Sequence, residues 1–189
     1  KCLSFDRLPA DHESYFETDK KRVLVTCGTH LKWEKERMVE RAKKLSQLYP
    51  DYLFYVTLGE ASGLGNASKR LAENLLLFDY LPYTDILDKI DLAIHHAGTG
   101  IMMACIEHEI PSLILPQDYD QFDNAVRAEL AQVGLVSRRK NDAEVLRLFK
   151  ELTDRTDWSK LKTLAQQSKE YQPTEILYQE LGRLLKVDL

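Results

Sequence analysis

Short apolar runs alternate with amphipathic stretches over residues 23–133. The runs are rich in β-branched or aromatic residues and most stop at Gly or Pro, so they predict buried strands: 23–27, 53–58, 75–78, 92–95 and 112–115. The helical spacing between them predicts helices over 33–49, around 85–89, from the turn at 96–100 to near 108, and over about 121–133. Because these strands are apolar throughout, we expect an α/β fold with a doubly wound, Rossmann-like parallel sheet covered on both faces.

The two ends of the chain depart from this alternation. Residues 1–20 are polar and irregular and predict a linker or arm, which leaves 21–189 as the α/β domain. Three glycines predict a loop over 59–66. Beyond residue 133 the pattern predicts extra C-terminal helices with two apolar stripes. These are Val145, Leu146, Leu148, Phe149 and Leu152, and, after Pro173, Ile176, Leu177, Leu181, Leu184 and Leu185.

Composition excludes several classes of protein. The net charge is −4, and the two basic clusters have three residues each, which argues against a nucleic-acid partner. No stretch approaches the roughly 18 apolar residues of a membrane span, so we expect no transmembrane segment. The N-terminus lacks the apolar core of a signal peptide and an initiator Met, so we expect a processed product or part of a longer chain. Three cysteines without a CxxC pair indicate a reducing compartment, and hence the cytoplasm.

The turn after the fourth strand is the most informative motif. In a parallel sheet, ligands bind at the carboxyl ends of the strands. Here His96-Ala97-Gly98-Thr99-Gly100 leads directly into a helix, whose free N–H groups and dipole favour an anion such as a diphosphate. His96 can donate to the same phosphate. A tight turn that simply requires small residues explains the motif equally well, whereas His95 is expected to pack inside with one hydrogen bond.

The segment after the fifth strand allows three interpretations. Asp118-Tyr119-Asp120 has the Asp-x-Asp spacing that binds a divalent metal in some glycosyltransferases. Alternatively, Asp120 and Gln121 offer acceptors and donors to neighbouring sugar hydroxyls. The third interpretation is an acidic first turn of a helix. Other motif classes fail, since the chain has no P-loop, GxSxG, HExxH or first-strand GxGxxG. Cys27 and Cys105 are interpreted as small buried apolar residues.

Taken together and in order, these segments resemble the C-terminal, donor-binding domain of GT-B glycosyltransferases of the family-1 UDP-glycosyltransferase type. The resemblance covers roughly residues 22–170. Its matching stretches are VLVTCGT (23–29), FDYLPYTDIL (78–87), HHAGTG (95–100) and IPSLILPQDYDQFDNA (110–125).

The resemblance implies a role for each matching residue. Gly28 and Thr29 would border the diphosphate or sugar, while Phe78, Tyr80 and the Leu81 backbone would lie near the base. His96 would contact the phosphates, above a backbone cradle formed by Gly98, Thr99 and Gly100. Asp120 and Gln121 would read the sugar hydroxyls. In this frame the Asp-x-Asp interpretation recedes, and no metal or cofactor is needed, because the UDP- or dTDP-sugar is a substrate.

Three positions depart from the family pattern. Ile101 stands where a Ser or Thr often adds a phosphate contact, and Ala104 stands where a carboxylate often holds the ribose. Glu107, one turn later, is a candidate substitute for that carboxylate. Tyr83 stands near a position where the family has Gln.

The resemblance implies half of an enzyme that moves a hexose from a nucleotide sugar to an acceptor hydroxyl. The general base and the acceptor site would lie in an N-terminal half or a separate subunit, without which this chain would be inactive. HAGTG also occurs in the small subunit of a split N-acetylglucosaminyltransferase, which implies a location at a membrane surface through a partner. The alternatives are a non-catalytic module of the same fold and a dinucleotide-dependent enzyme.

Overall fold

The computed structural model describes residues 10–60 and 68–185. Within these residues the strands are β1 (Lys21–Thr26), β2 (Tyr52–Thr57), β3 (Ser68–Ala72), β4 (Leu75–Phe78), β5 (Leu92–His95), β6 (Ser112–Ile114) and β7 (Gly134–Val136). The α-helices are α1 (Lys35–Leu48), α2 (Tyr83–Ile86), α3 (Thr99–Glu107), α4 (Gln121–Leu130), α5 (Asp142–Asp154), α6 (Ser159–Glu170) and α7 (Pro173–Leu185). Most of the loop predicted over 59–66 lies outside the described residues.

The strands form one sheet in the order β3-β4-β2-β1-β5-β6-β7. Every neighbouring pair is parallel except β3 and β4, so the predicted doubly wound α/β fold is confirmed. The chain builds outward from β1 through β2 and β4, then crosses to β5 on the other side of β1. Thr26 pairs with His95 in the register of β1 and β5. The carboxyl ends of these two strands therefore form the topological switch point, where ligands bind in such sheets.

Two of the observed strands were not predicted from the sequence. β3 is the polar segment SKRLA at the edge of the sheet, and edge strands often carry charge that discourages further pairing. β7 has three residues and begins at Gly134, the glycine that was expected only to end the preceding helix. That helix, α4, ends at Leu130 rather than Val133. The other predicted strands agree to within about two residues, as boundaries usually do.

Side chains that alternate along each strand fill two cores, one on each face of the sheet. Val23, Val25 and Val56 face one apolar cluster with side chains of α1 and α5, while Leu24 and Tyr55 face the other. This is the physical reason that the strands are apolar throughout, because neither face meets water.

The two C-terminal apolar stripes have different environments. The stripe on α5 is largely buried in the core, with Val145, Leu148, Phe149 and Leu152 all below a tenth exposed. The stripe on α7 is exposed along its length, and the helix contains no buried residue. The structure thus shows the predicted helices but leaves the α7 stripe open to solvent in the described part of the chain.

Part of the predicted N-terminal arm packs on the domain. Residues Ala10–Phe16 form a 3₁₀ helix, and the Phe16 ring stacks on Tyr55 with ring centres 4.5 Å apart. The Tyr55 hydroxyl also donates to the Tyr15 carbonyl at 2.7 Å. Residues 1–9 lie outside the description. A membrane-spanning helix is absent from residues 10–60 and 68–185.

Candidate functional site

A cleft of about 340 Å³ lies at the carboxyl ends of β1 and β5, at the switch point of the sheet. It brings together most of the predicted site residues. Those lining it are Gly28, Thr29, Tyr80, Leu81, His96, Gly98, Gly100 and Gln121. Thr99 and Asp120 are exposed at its rim, where their side-chain oxygens lie 3.5 Å apart.

The His96 ring lies between two glycines. A Cβ atom built on Gly28 would be 2.7 Å from Cε1 of His96 and 2.9 Å from Nε2. A Cβ on Gly98 would lie 3.1 Å from Cε1 and closer still to Nε2. Any larger residue at either position would displace the ring. Gly28 is also required by its φ of +73°, a conformation that side chains disfavour.

The strand-to-helix turn is fixed by His95. Its buried Nδ1 accepts a hydrogen bond from the Ala97 amide at 3.1 Å, which holds Ala97 at a φ of 69°. The prediction that His95 packs inside with one hydrogen bond is therefore confirmed. Burial, aided by the neighbouring His96, lowers the pKa of His95 to about 3, so this imidazole is neutral at pH 7 and carries its proton on Nε2.

The first turn of α3 presents backbone amides to the cleft. Gly98 is the N-cap, with an extended φ of −60° and ψ of 139°, and makes no side-chain cap. Among the described residues, no acceptor is found for the amides of Gly98, Thr99, Gly100 or Ile101. Gly100 has no atom within 4 Å of its would-be Cβ, so a ligand can approach this backbone closely.

The His96 imidazole carries little charge at neutral pH. Burial lowers its pKa most strongly, and the Thr26 carbonyl and the Asp120 carboxylate partly oppose that effect. Among the described residues, His96 Nδ1 has no hydrogen-bond partner. A neutral ring of this kind offers one N–H donor and one acceptor.

Asn124 ties the rim of the cleft together. Its Nδ2 lies 3.0 Å from the Ala97 carbonyl, 3.1 Å from Asp120 Oδ2 and 3.3 Å from Thr99 Oγ1. One amide thus holds the β5–α3 turn against the start of α4. The sequence contained this residue in the Asn-Ala pair of the motif, but the motif alone did not show that its amide spans two elements.

Gln121 is oriented differently from a simple sugar contact. It is 8% exposed, and its Oε1 accepts from the Gln117 amide at 2.9 Å and the Asp118 amide at 3.3 Å. The carbonyl half of this side chain is therefore occupied by the loop after β6. Only the Nε2 group is left to donate to a ligand.

The opposite wall of the cleft contains aromatic and aliphatic side chains. Tyr80, Tyr83 and Leu81 line it, and the Tyr83 hydroxyl donates to Thr26 Oγ1 at 3.1 Å. Burial raises the pKa of Tyr83 to about 12, so it remains protonated. Phe78, predicted to lie near the base, is completely buried and packs beside Tyr15 and Tyr55. Its side chain is directed into the core because it sits inside β4.

The position of Glu107 corrects the role predicted for it. Glu107, the proposed substitute for a ribose carboxylate, lies outside the cleft, and its Oε1 accepts from Ser168 Oγ of α6 at 3.3 Å. Glu107 lies one helical turn after Ala104, and at this position its side chain is on the α6 side of α3.

Cys27 and Cys105 are buried. Burial raises the pKa values of their thiols to about 11 and about 12, as expected of apolar residues rather than nucleophiles. Among the described residues, no cluster of three metal-ligating side chains is found.

The family model described as erythromycin biosynthesis protein CIII-like, C-terminal domain, matches residues 55–181. This chain belongs to that family. The match includes the β5–α3 turn and the Asp120–Asn124 rim, so the predicted resemblance to a glycosyltransferase C-terminal domain is confirmed.

Curated relatives agree with this assignment. The sterol 3-beta-glucosyltransferase of Komagataella phaffii is 32% identical over 99 residues, which are 52% of this chain and 8% of the relative. The demethyllactenocin mycarosyltransferase of Streptomyces fradiae is 34% identical over 62 residues, or 33% of this chain and 13% of the relative. The chain thus matches only a small part of each enzyme.

Solved structures share the fold. The spinosyn forosaminyltransferase SpnP superposes with a TM-score of 0.74 at 21% identity, over 95% of this chain and 47% of that one. The spinosyn rhamnosyltransferase SpnG complexed with thymidine diphosphate gives 0.67 at 20% identity, over 85% of this chain and 44% of that one. This chain spans about half the length of these GT-B glycosyltransferases.

Proposed function

We propose that this chain is the donor-binding half of a glycosyltransferase that moves a hexose from a UDP- or dTDP-sugar to an acceptor hydroxyl. The observation that carries the proposal is the set of amides without acceptors at the start of α3, beside His96, in a cleft at the sheet's switch point. Support also comes from the relatives, which are named as glycosyltransferases, and from the thymidine diphosphate complex of SpnG.

The α3 amides suit the chemistry of the leaving group. When the acceptor hydroxyl attacks C1, the bond to the diphosphate breaks and negative charge grows on the leaving oxygen. Free N–H groups and a helix dipole stabilise that charge without reorganisation. The His96 imidazole adds one neutral N–H donor from the β5 side. No metal ion is required in this scheme.

The rim is suited to the sugar. Asp120 uses Oδ2 for Asn124 and Thr99, so Oδ1 is available to accept from a sugar hydroxyl. Gln121 would donate through Nε2, because its Oε1 is held by the loop. The base would lie against Tyr80, with the Leu81 backbone as its hydrogen-bond partner.

The acceptor site and the general base would come from an N-terminal half or a partner subunit. The exposed stripe of α7, with Ile176, Leu177 and Leu181 between 38% and 57% exposed, is assigned as the surface that docks on this half. The share of the solved neighbours that the chain covers, 42–47% for SpnP and the kitacinnamycin glycosyltransferase, leaves room for such a half. A cytoplasmic location, or one at a membrane surface through a partner, stays a prediction.

Calorimetric titration with UDP, dTDP and GDP tests the proposal. We expect UDP or dTDP to bind, and His96→Ala to weaken binding about 10-fold or more, because a hydrogen bond to a charged group contributes about 1.5–3 kcal/mol. His108→Ala is the matched control, since His108 pairs with Asp88 at 2.6 Å at the far end of α3. Absence of binding by all three nucleotides at millimolar concentration would overturn the proposal.

A second candidate is a non-catalytic module of the same fold. It is favoured by Ile101, which is buried in the cleft and offers no hydroxyl to a phosphate, and by Ala104, which offers no carboxylate to the ribose. Nucleotide binding alone does not separate the two candidates. Sugar transfer by the complete protein that is lost in Asp120→Ala would exclude the non-catalytic module.

A further inference from the structure

Three neighbouring strands end in the same kind of turn at the cleft. In each, the last side chain of the strand accepts a hydrogen bond from the amide two residues later, and the donating residue has a positive φ between 66° and 73°. The pairs are Thr26 Oγ1 with Gly28 at 3.1 Å, His95 Nδ1 with Ala97 at 3.1 Å and Thr57 Oγ1 with Gly59 at 3.4 Å. Such a local bond from side chain to backbone takes the place of the sheet's own pairing, and it ends β1, β5 and β2 in the same way.

The three turns lie side by side. Thr26 pairs with Thr57 of β2 and with His95 of β5 in the register of the sheet, so the turns start at the same height. Two of them also touch, because a Cβ atom built on Gly59 would be only 2.9 Å from the carbonyl oxygen of Gly28. In so closely packed a row, a shift of one turn is transmitted to the next.

Thr26 is the central residue of this row. Its Oγ1 accepts the Tyr83 hydroxyl at 3.1 Å as well as the Gly28 amide, which the two lone pairs of a hydroxyl oxygen allow. Burial lowers the pKa of the His96 imidazole, and the Thr26 carbonyl opposes that effect, so the carbonyl acts on the ring. Thr26 itself is 2% exposed and therefore affects a ligand through these neighbours.

Tyr83 connects the opposite wall of the cleft to this row. It is the first residue of α2, directly after Pro82, and its side chain lines the cleft beside Leu81. Its hydroxyl proton is directed to Thr26 rather than to the cleft. One hydrogen bond therefore joins α2 to the turn that follows β1.

We propose that Tyr83 is a positioning residue for the diphosphate site, acting through Thr26 on the Gly28 turn and the His96 ring. The Tyr83 hydroxyl holds Thr26 in the rotamer whose Oγ1 receives the Gly28 amide. It thereby fixes the turn against which the imidazole packs, since a Cβ atom on Gly28 would be 2.7 Å from Cε1 of His96. The role in ligand binding rests on the function proposed above, whereas the link from Tyr83 to Gly28 and His96 does not.

The direct test uses the nucleotide-free protein. Tyr83→Phe keeps the ring in the cleft wall and removes only the hydroxyl, while Thr26 Oγ1 retains the Gly28 amide, so we expect this variant to melt within a few degrees of the wild type. We expect nitrogen-15 NMR to show shifted signals for the Gly28 amide and the His96 ring. Tyr171→Phe is the matched control, because Tyr171 is exposed, and it should leave both signals unchanged. Unchanged Gly28 and His96 signals in Tyr83→Phe would overturn the proposal whether or not any nucleotide binds.

Substitutions of Thr26 show whether the effect passes through its hydroxyl. Thr26→Ser keeps Oγ1, and we expect Tyr83→Phe to shift the same signals in that background. Thr26→Val has a similar shape but no oxygen, so in that background Tyr83→Phe should shift the signals no further, as expected of two residues that act as one unit. A full Tyr83→Phe shift in the valine background would show that Tyr83 does not act through Thr26, against the proposal.

Calorimetric titration then measures the consequence for the ligand. In a protein that binds UDP or dTDP, we expect Tyr83→Phe to weaken binding about 3- to 10-fold, the range that one neutral hydrogen bond contributes. Combining it with Thr26→Val should add no further loss. Unchanged affinity in Tyr83→Phe, or losses that simply add in the double variant, would refute the positioning role. A wild-type protein that binds no nucleotide contradicts the function proposed above instead, and the NMR shifts still decide the link between Tyr83, Gly28 and His96.

Discussion

Replacing Gly98 with alanine would put a methyl group where the His96 ring now lies. The new Cβ would be 3.1 Å from Cε1 and 3.3 Å from Cδ2, and closer still to Nε2. The backbone has no need to change, because a φ of −60° and a ψ of 139° suit any residue. The substitution therefore acts through the ring, which must turn or shift out of its place.

The expected loss of affinity follows from the bond that the displaced ring gives up. A hydrogen bond to a charged group contributes about 1.5–3 kcal/mol, which corresponds to roughly 10- to 150-fold in Kd. We expect Gly98→Ala to weaken binding of UDP or dTDP by such a factor in calorimetric titration. Crowding against the ring is also expected to cost about 1–3 kcal/mol of folding stability.

Gly100→Ala is the matched control two residues further along. Its Cβ would meet no atom within 4 Å, and alanine favours a helix over glycine by up to about 1 kcal/mol. We expect this variant to melt at or slightly above the wild-type temperature. We also expect the nitrogen-15 NMR signals of its His96 ring to be unchanged. Any loss of nucleotide affinity then comes from the methyl group meeting the ligand. If Gly98→Ala shifts the ring signals but binds with wild-type affinity, His96 does not contact the diphosphate and the reasoning fails.

Three further substitutions test the framework of the site. Asn124→Ala removes the donor to the buried end of the β5–α3 turn, and should cost about 1–3 kcal/mol in urea unfolding; a loss below about 0.5 kcal/mol would contradict the bridging role. His95, with its pKa lowered to about 3, is neutral when folded but takes up a proton near pH 6.5 when unfolded. Its contribution is therefore complete above pH 6.5 and falls by up to about 1.4 kcal/mol per pH unit between pH 6.5 and 3. His95→Asn, which keeps an acceptor for the Ala97 amide, should flatten that dependence, and an unchanged slope would refute it. Phe16→Ala removes the ring stacked on Tyr55 and should cost about 3 kcal/mol, measured by urea unfolding with the exposed Tyr171→Ala as control; equal losses would show that the arm does not stabilise the domain.

Apolar periodicity was sufficient to predict the order and type of the central elements. The buried strands between Lys21 and Ile114 have few polar positions, so their pattern has no competing interpretation. β3 and β7 were not predicted, because they are stabilised by pairing with β4 and β6 rather than by the propensities of their own residues. A segment such as Ser68–Ala72 becomes a strand only when an edge is there to receive it.

The direction of individual side chains was harder to predict, because one position along an element changes what a residue faces. Phe78 and Tyr80 are two residues apart in the sequence, yet the first is sealed in the core and the second lines the cleft. Phe78 is the last residue of β4, whereas Tyr80 lies beyond the strand, where the alternation of side chains between the two faces no longer applies. The ribose contact predicted for Glu107 is not possible for a similar reason. Glu107 is the last residue of α3, and this end of the helix lies outside the cleft.

The glycines of the site illustrate what a motif alone leaves open. From the sequence, Gly98 and Gly100 were interpreted as places where a ligand approaches the backbone, and the family resemblance placed Gly28 at the border of the diphosphate or sugar. The structure separates them, because the space beside Gly28 and Gly98 is filled by the His96 ring while the space beside Gly100 is open. The absence of a side chain at Gly28 and Gly98 therefore matters to the ligand through the imidazole that it admits. Substitutions at position 98 and at position 100 should thus weaken binding by different routes, and the His96 ring signals distinguish them.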